Sequence, residues 1–186
     1  MTRASSEPSG ADADLVLRVG EGDVSAYREL VERHGRKLHH YAIRLLRDAS
    51  EAEDIVQETF LKLWQSAGDY APQARVTTWL HRIAHNLAVD RLRKRGRWQP
   101  FEEDDAPPVS AEQPHRIDER QRAASLDLAL SEIPERQRAA LLLVYLHELS
   151  GREAAEVLGV SESALESLLA RARRALKARL AGATSS

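Results

Sequence analysis

The segment from Ser150 to Leu180 constrains the fold most, because it has the pattern of two helices joined by a tight turn. Ser150 and Glu153 form a Ser-x-x-Glu capping box, which pairs free amide groups at the start of a helix. Gly159 permits a left-handed turn that residues with a Cβ atom resist. Ser161 predicts the N-cap of the second helix. The segment therefore predicts a helical hairpin with a sharp corner.

The second helix of this hairpin has two different sides. Apolar residues recur at helical spacing and predict a buried side: Leu165, Leu168, Leu169, Ala172 and Leu176. The opposite, partly cationic side is expected to hold Glu166, Ser167, Ala170, Arg171 and Arg174. A helix with a buried back and a polar front is what a helix-turn-helix presents to the major groove of DNA. Taken alone, the segment also fits an ordinary helical hairpin with a solvated charged side.

The composition of the chain favours helices over sheets, since Ala, Leu, Arg and Glu are abundant while Gly and aromatic residues are sparse. Its 186 residues suffice for one medium or two small domains. The chain has no cysteine, which excludes disulfides and thiolate metal sites. A net charge of −2 argues against a uniformly basic nucleic-acid-binding coat. Since neither a bilayer-spanning run nor a signal peptide is recognisable, we expect no membrane insertion and a cytoplasmic location.

The order of segments predicts an all-α protein of two small helical domains joined by a flexible acidic linker. A helical block covers residues 12–95 and a second covers 117–180. Between them, residues 96–116 contain four prolines and an acidic tract, which break helices and keep the segment solvated. The termini, residues 1–11 and 181–186, are small and polar tails.

A stripe of acidic, amide and apolar side chains runs along a helix expected from Ser50 to Ser66, with Ser50 and Glu53 as its capping box. This stripe, termed the Asp54 stripe, consists of Asp54, Gln57, Glu58 and Leu61. By itself it fits a solvated helix surface. An apolar Leu61 among carboxylates, with Trp64 beside it, also fits a protein–protein interface.

Another mixed edge follows on the next helix, which Thr77 or Thr78 is expected to cap. This edge, termed the Trp79 edge, consists of Trp79, Arg82, Asn86 and Asp90. An aromatic plane, a guanidinium and an amide can stack on an unpaired base and bond to its edge. The alternative is a core tryptophan with polar neighbours.

The basic run from Arg91 to Arg97 ends this helix. Cations at this position favour the helix dipole, and a run this dense also attracts phosphates.

The sequence carries no recognisable catalytic or metal-binding arrangement. His81 and His85 have the spacing of two zinc ligands, but Arg82 stands where the metalloprotease pattern requires a glutamate. No nucleophile–base pair or glycine-rich phosphate loop is present. We therefore expect no metal, no cofactor and no enzymatic activity.

Three motifs in order resemble those of bacterial sigma factors, specifically the extracytoplasmic-function (ECF) group of the sigma-70 family. The stretch Ala49–Phe60 resembles the core-polymerase-binding helix, and Thr78–Asn86 resembles the promoter-melting helix. The C-terminal hairpin resembles the helix-turn-helix of sigma domain four. The resemblance extends from Asp12 to Leu180.

This resemblance implies a role for each motif. The Asp54 stripe would bind the clamp helices in the beta-prime subunit of RNA polymerase core. The Trp79 edge would hold the non-template strand of the −10 element, together with a loop made of Asp69, Tyr70, Ala71, Pro72, Gln73, Ala74, Arg75 and Val76. Ser161 and the polar side of the last helix would bind the −35 element of promoter DNA. An anti-sigma protein is the implied regulatory partner.

Two positions depart from the family pattern at these expected DNA contacts. Val76 stands where many relatives have an aromatic residue, and Glu166 stands where many have a cation. Both concern which promoter is recognised.

Two other function classes fit parts of the chain. A stand-alone helix-turn-helix regulator would bind duplex operators without polymerase, and would have no use for the Asp54 stripe. A protein-only adaptor would leave the basic clusters unexplained. The sequence as a whole favours a sigma factor that directs polymerase to promoters.

Overall fold

A computed structural model describes residues 9–70, 75–98 and 127–183, and within these ranges every regular element is helical. The elements in order are α1 (Ser9–Gly20), α2 (Val24–Leu46), α3 (Ala49–Ser66), a 3-10 turn (Ala67–Asp69), α4 (Val76–Lys94), a helical stretch at 127–131, α5 (Glu135–Leu141), a π-helical turn (Leu142–Leu146), α6 (Gly151–Leu158) and α7 (Glu162–Ala183). The all-α prediction is confirmed. We call α1–α4 the N-terminal bundle and residues 127–183 the C-terminal segment.

The outer bounds of the two helical blocks differ slightly from those expected. α1 begins at Ser9, ahead of the predicted Asp12, and α7 continues beyond Leu180 to Ala183. Most of the expected linker and the first residues of the second block, 99–126, lie outside the described residues, as do 1–8 and 184–186.

The helix-turn-helix has the local structure that its sequence predicts. Ser150 and Glu153 form both hydrogen bonds of a capping box at the start of α6. Gly159 ends α6 in the left-handed region with φ of 64°. The Ser161 hydroxyl accepts a hydrogen bond of 3.1 Å from the Ala164 amide and so caps α7. Each cap needs only residues within one turn, which is why the sequence alone identifies them.

Both cap predictions in the N-terminal bundle are wrong. α3 begins at Ala49, and Asp48 rather than Ser50 accepts a 3.0 Å hydrogen bond from the Glu51 amide. α4 begins at Val76, before either threonine, and no side chain caps it. Thr78 is instead buried, and its hydroxyl donates a 3.0 Å hydrogen bond to Glu153 of α6. A contact between distant segments therefore claims the hydroxyl that local reasoning assigned to a cap.

Gly20 allows the end of α1 to pack directly on the 3-10 turn. A Cβ atom at this position would lie 2.9 Å from the carbonyl oxygen of Ala67. The Ala67 oxygen belongs to the backbone and cannot turn aside as a flexible side chain would, so a larger residue would force α1 and the turn apart.

The N-terminal bundle and the C-terminal segment share one continuous apolar core. In the bundle, α2 buries Leu30, Leu38 and Leu45 against its neighbours. In the C-terminal segment, Leu142 and Leu165 are buried in the same cluster. The sequence predicts two small helical domains joined by a flexible acidic linker. The two helical units are present, and they pack against each other chiefly through α4 against α6 and α2 against α5.

A cluster of aromatic and imidazole rings lies where these two units meet. Tyr41 is fully buried, and its hydroxyl shares a 2.7 Å hydrogen bond with Nδ1 of His85. The His81 ring lies 4.8 Å from the His147 ring, and Tyr41 contacts both edge-on. Nδ1 of His81 donates a 2.8 Å hydrogen bond to the Thr77 carbonyl. The two α4 histidines therefore belong to the core, and His147 joins them from the C-terminal segment.

Burial lowers the pKa of all three histidines, because removal from water disfavours the charged imidazolium. The pKa falls to about 4 for His81 and to about 3 for both His85 and His147. The hydrogen bond to the Thr77 carbonyl acts in the opposite direction on His81. The rings are consequently neutral in the folded protein at neutral pH.

This cluster predicts that folding stability falls as the pH drops from about 6.5 towards 4. An unfolded histidine binds its proton near pH 6.5, whereas the folded rings bind theirs near 3–4, so between these values the unfolded state holds more protons. For His85 the loss amounts to about 2 kcal/mol at pH 5. Urea unfolding at pH 7, 6 and 5 measures it. His85→Gln, which does not titrate, should reduce the pH dependence, while His81 and His147 keep the rest of it. A midpoint that stays constant in the wild type would contradict the prediction.

Candidate functional site

The Asp54 stripe lies along the solvent side of α3. Asp54, Gln57 and Leu61 are exposed, whereas Ile55 on the opposite side is fully buried. Glu58 is half-buried, and its carboxylate lies 3.3 Å from the guanidinium of Arg91 on α4. The stripe therefore combines two exposed polar side chains with a carboxylate that an arginine of the same bundle holds in place.

Exposed apolar side chains continue the stripe towards the end of α3. Leu61 is 53% exposed and Trp64 is 38% exposed. The Trp64 ring packs edge-on against Tyr27 of α2, with ring centroids 5.3 Å apart. This contact holds one side of the indole while leaving part of it in solvent, as expected of a preformed protein-binding surface.

The Trp79 edge follows the solvent-facing side of α4. Trp79 is half-buried, while Arg82, Asn86 and Asp90 are exposed. The Trp79 ring lies against the ring of Tyr70, with centroids 5.2 Å apart and an angle of 39° between the planes. The edge thus presents a guanidinium, an amide and a carboxylate beside a supported aromatic pair.

The loop expected beside this edge is only partly described. Asp69 and Arg75 are exposed and Tyr70 is half-buried, while residues 71–74, predicted to contact DNA, lie outside the described part of the chain. The prediction that Val76 faces DNA is wrong, since this side chain is only 3% exposed. It lies in the first turn of α4 and packs into the core, which removes it from any surface.

The polar side of α7 matches the sequence pattern except at one residue. Glu166 and Arg174 are exposed, and Ser167 and Arg171 are half-buried. The prediction that Ala170 shares this side is wrong, because it is only 4% exposed. α7 packs against both α5 and α6, so its buried arc is wider than the leucine spacing alone indicates.

The basic run at the end of α4 is largely paired with carboxylates. Arg91 lies near Glu58, and its guanidinium also donates a 3.0 Å hydrogen bond to the Glu51 carbonyl. Arg95 lies 2.7 Å from the Glu51 carboxylate, and Arg97 lies 2.8 Å from Glu135 of α5. These ion pairs reduce the positive potential that the run of arginines indicates in the sequence.

The first helix of the helix-turn-helix packs against the start of α4, next to the Trp79 edge. Glu153 contacts the Thr78 hydroxyl and lies 3.5 Å from the Arg75 guanidinium. Glu156 lies 3.4 Å from the Arg82 guanidinium. Sequence reasoning identified Glu153 only as a cap and did not identify Glu156. A single sequence carries no signal for these contacts, since each joins residues more than 70 positions apart.

The part of the chain that the structure describes has neither a metal-binding cluster nor a membrane-spanning helix. Within residues 9–70, 75–98 and 127–183, no three histidine or carboxylate side chains come together in a way that could bind a metal ion. Of the helices in the described ranges, none is both long and apolar enough to cross a bilayer.

The two halves of the chain match two family models. Residues 30–97 match sigma-70 region 2, and residues 123–176 match sigma-70 region 4. The first match contains both the Asp54 stripe and the Trp79 edge, and the second contains the helix-turn-helix.

Similar proteins of known class span most of the chain. The ECF RNA polymerase sigma factor SigM of Mycobacterium tuberculosis is 36% identical over 172 residues, covering 92% of this chain and 85% of SigM. The ECF RNA polymerase sigma factor SigE of Mycolicibacterium smegmatis is 34% identical over 182 residues, covering 94% of this chain and 70% of SigE.

Solved structures agree with the sequence relatives. CnrH, in complex with the cytosolic domain of CnrY, superposes with a TM-score of 0.69 and 28% identity, covering 92% of this chain and 97% of that one. The sigma factor RpoE of Bartonella quintana, in complex with the anti-sigma factor NepR, gives a TM-score of 0.66 and 26% identity, covering 84% and 98%. With both sigma regions present in order and relatives above 30% identity along most of its length, the chain belongs to the ECF group of the sigma-70 family and is a sigma factor that directs transcription initiation.

Proposed function

We propose that this sigma factor binds polymerase core through the Asp54 stripe, opens the −10 element at the Trp79 edge and contacts the −35 element with α7. The observation that carries the proposal is the presence of three exposed surfaces of different chemistry on one helical frame. Each surface has chemistry suited to its target: carboxylates around Leu61, an aromatic pair beside Arg82 and Asn86, and cations on α7. Catalysis belongs to polymerase, and the protein works in the cytoplasm, where bacterial polymerase acts.

The polymerase assignment favours the clamp helices of the beta-prime subunit as the target. Leu61 is half-exposed next to Trp64, and burial of such side chains supplies the main driving force for association. The exposed carboxylate of Asp54 adds charge selectivity at the rim of this patch. A stand-alone operator-binding regulator would need neither feature.

The −10 assignment rests on Trp79, Arg82 and Asn86. Taking a base out of the duplex costs a few kcal/mol, and stacking on an aromatic ring with hydrogen bonds to the base edge offsets this cost. Tyr70 packs against one side of the Trp79 ring and restricts its rotation. Stacking of a base on Trp79 would therefore cost less side-chain entropy. The exposed amide of Asn86 is free to turn towards a base edge.

We also propose an anti-sigma partner that competes with polymerase. The support is that RpoE, a similar sigma factor, was solved in complex with the anti-sigma factor NepR. The partner would cover the Asp54 stripe, the DNA-contacting side of α7, or both.

Reversing a charge or introducing one in the stripe should abolish binding to polymerase core without unfolding the protein. Asp54→Arg and Leu61→Asp change exposed side chains, and such changes shift stability by less than about 0.5 kcal/mol. Co-elution with core and promoter-specific transcription measure the loss, and Glu32→Arg, an exposed reversal on α2, is the matched control. Normal transcription from both stripe variants would refute the interface.

Asn86→Ala should slow the formation of the open complex more than the initial binding of duplex promoter, because the lost hydrogen bonds are made only to an unpaired base. Transcription from duplex and from pre-melted templates separates the two steps. The pre-melted template should restore the variant to near wild-type rates. If the defect is equally large on both templates, Asn86 has no role in opening.

Glu166 predicts a preference for cytosine at one −35 position. A carboxylate cannot donate a bond to guanine, but it accepts one from the N4 amino group of cytosine, and phosphates would repel it. Glu166→Ala should lose this preference, at a cost of about 1–3 kcal/mol on the preferred sequence. Selection from a randomised promoter library measures it. Arg174→Ala, a phosphate-contact control, should weaken all sequences alike and reduce the salt dependence; an unchanged −35 preference in Glu166→Ala would exclude the contact.

A further inference from the structure

The first helix of the helix-turn-helix places two carboxylates on the cations beside the Trp79 edge. Glu153 lies 3.5 Å from the Arg75 guanidinium, and Glu156 lies 3.4 Å from that of Arg82. Glu153 and Glu156 are three residues apart and so lie on the same side of α6. Both arginines belong to the residues proposed to hold the −10 strand.

These carboxylates pair with guanidinium groups that the phosphates of a bound strand could also use. A carboxylate and a phosphate are both anionic acceptors that pair with guanidinium groups through the same N–H donors. Arg75 and Arg82 are two helical turns apart, a separation of about 10 Å that α6 spans along its length. The strand and α6 therefore cannot hold the same pair of arginines at once.

We propose that α6 is a built-in competitor of the −10 strand, so that Arg75 and Arg82 become available to the strand only after the C-terminal segment leaves α4. This inference rests on the proposed −10 role of that edge. The competitor is part of the chain, and its effect therefore does not depend on the concentration of any partner.

The two contacts differ in strength, and this sets the order of release. The pair between Glu156 and Arg82 is solvent-exposed on both sides, and such pairs contribute little. Glu153 is more protected, because it also accepts a hydrogen bond from the buried Thr78 hydroxyl. Displacement should therefore begin at Arg82 and finish with the removal of Glu153 from Thr78.

Release leaves the helix-turn-helix intact. The capping box joins Glu153 to Ser150 with hydrogen bonds of 2.7 and 2.9 Å, all of them within the start of α6. Glutamine serves in a capping box as well as glutamate. Glu153→Gln therefore removes the charge opposite Arg75 while keeping both the cap and a partner for Thr78.

The test measures the affinity of the full-length protein for a fluorescent single-stranded oligonucleotide that carries the −10 element. Glu156→Arg should bind about three- to tenfold more tightly than the wild type, since a weakened closed state raises the binding-competent fraction. Glu153→Gln should show a smaller gain in the same direction. Glu32→Arg on α2 makes the same change of charge as Glu156→Arg at an exposed residue outside this pair of contacts, and should change the affinity little.

A second readout follows the position of the C-terminal segment directly. The chain has no cysteine, so Ala49→Cys and Ala178→Cys, both at exposed positions, provide two unique dye sites. Energy transfer between the dyes should decrease when the strand is added, and should already be lower in Glu156→Arg without DNA.

The outcomes separate this inference from the proposed function. Tighter strand binding in Glu156→Arg, together with decreased energy transfer, supports the competition. Strand binding without any change in energy transfer overturns it, as does a gain no larger than that of Glu32→Arg. Promoter-specific transcription by the wild type with polymerase core is measured in parallel: if it occurs while the competition fails, the sigma-factor role stands and only the inference is lost.

Discussion

The arrangement of the two halves of this sigma factor depends on one buried guanidinium. Arg138 of α5 is only 1% exposed. It donates hydrogen bonds to the carbonyl oxygens of Arg44 at 3.4 Å, Leu45 at 3.3 Å and Ile133 at 3.1 Å. The last carbonyls of α2 have no intrahelical donors, so the arginine supplies what the helix end lacks. Burial lowers the pKa of Arg138, and the Glu135 carboxylate, 3.4 Å away, opposes that effect. Burying a charge costs free energy unless the charge is paired. If the C-terminal segment shifted, Arg138 would lose its partners on α2, so the buried guanidinium holds the segment at this position.

With α5 anchored under α2, the remaining contacts between the halves follow. His147 reaches the rings of Tyr41 and His81, and α6 comes to lie along α4. The apolar core then extends without interruption from one half into the other. The same packing sets Glu156 against Arg82, at the edge where single-stranded DNA is proposed to bind. Stability of the free protein and access to the −10 strand are thus in opposition, since contacts that complete the core also cover part of the DNA-binding surface.

Residues that the sequence reading misjudged share a physical cause. Thr78 reads as a cap because it precedes an apolar run, yet a carboxylate from another helix takes its hydroxyl. Ala170 reads as exposed from a single-helix projection, yet two neighbouring helices widen the buried arc of α7. His81 and His85 were rejected as metal ligands but not assigned to the core, and both lie there because neutral imidazole tolerates burial when a nitrogen finds a partner. In each case the deciding neighbour is distant in sequence.

The sequence by itself determined the features that depend on neighbours within one or two turns. These are the helical class, the capping box and turn of the helix-turn-helix, and the exposure of Asp54 and Leu61. The order of three such local motifs also identified the family to which the chain belongs. Tertiary structure decided which helix ends are satisfied by distant groups, how far burial extends around α4 and α7, and where α6 rests. The physical reason is one of range: a cap or an amphipathic period is encoded by adjacent residues, whereas the energy of a buried guanidinium or of an ion pair between helices depends on which distant groups the fold brings to it.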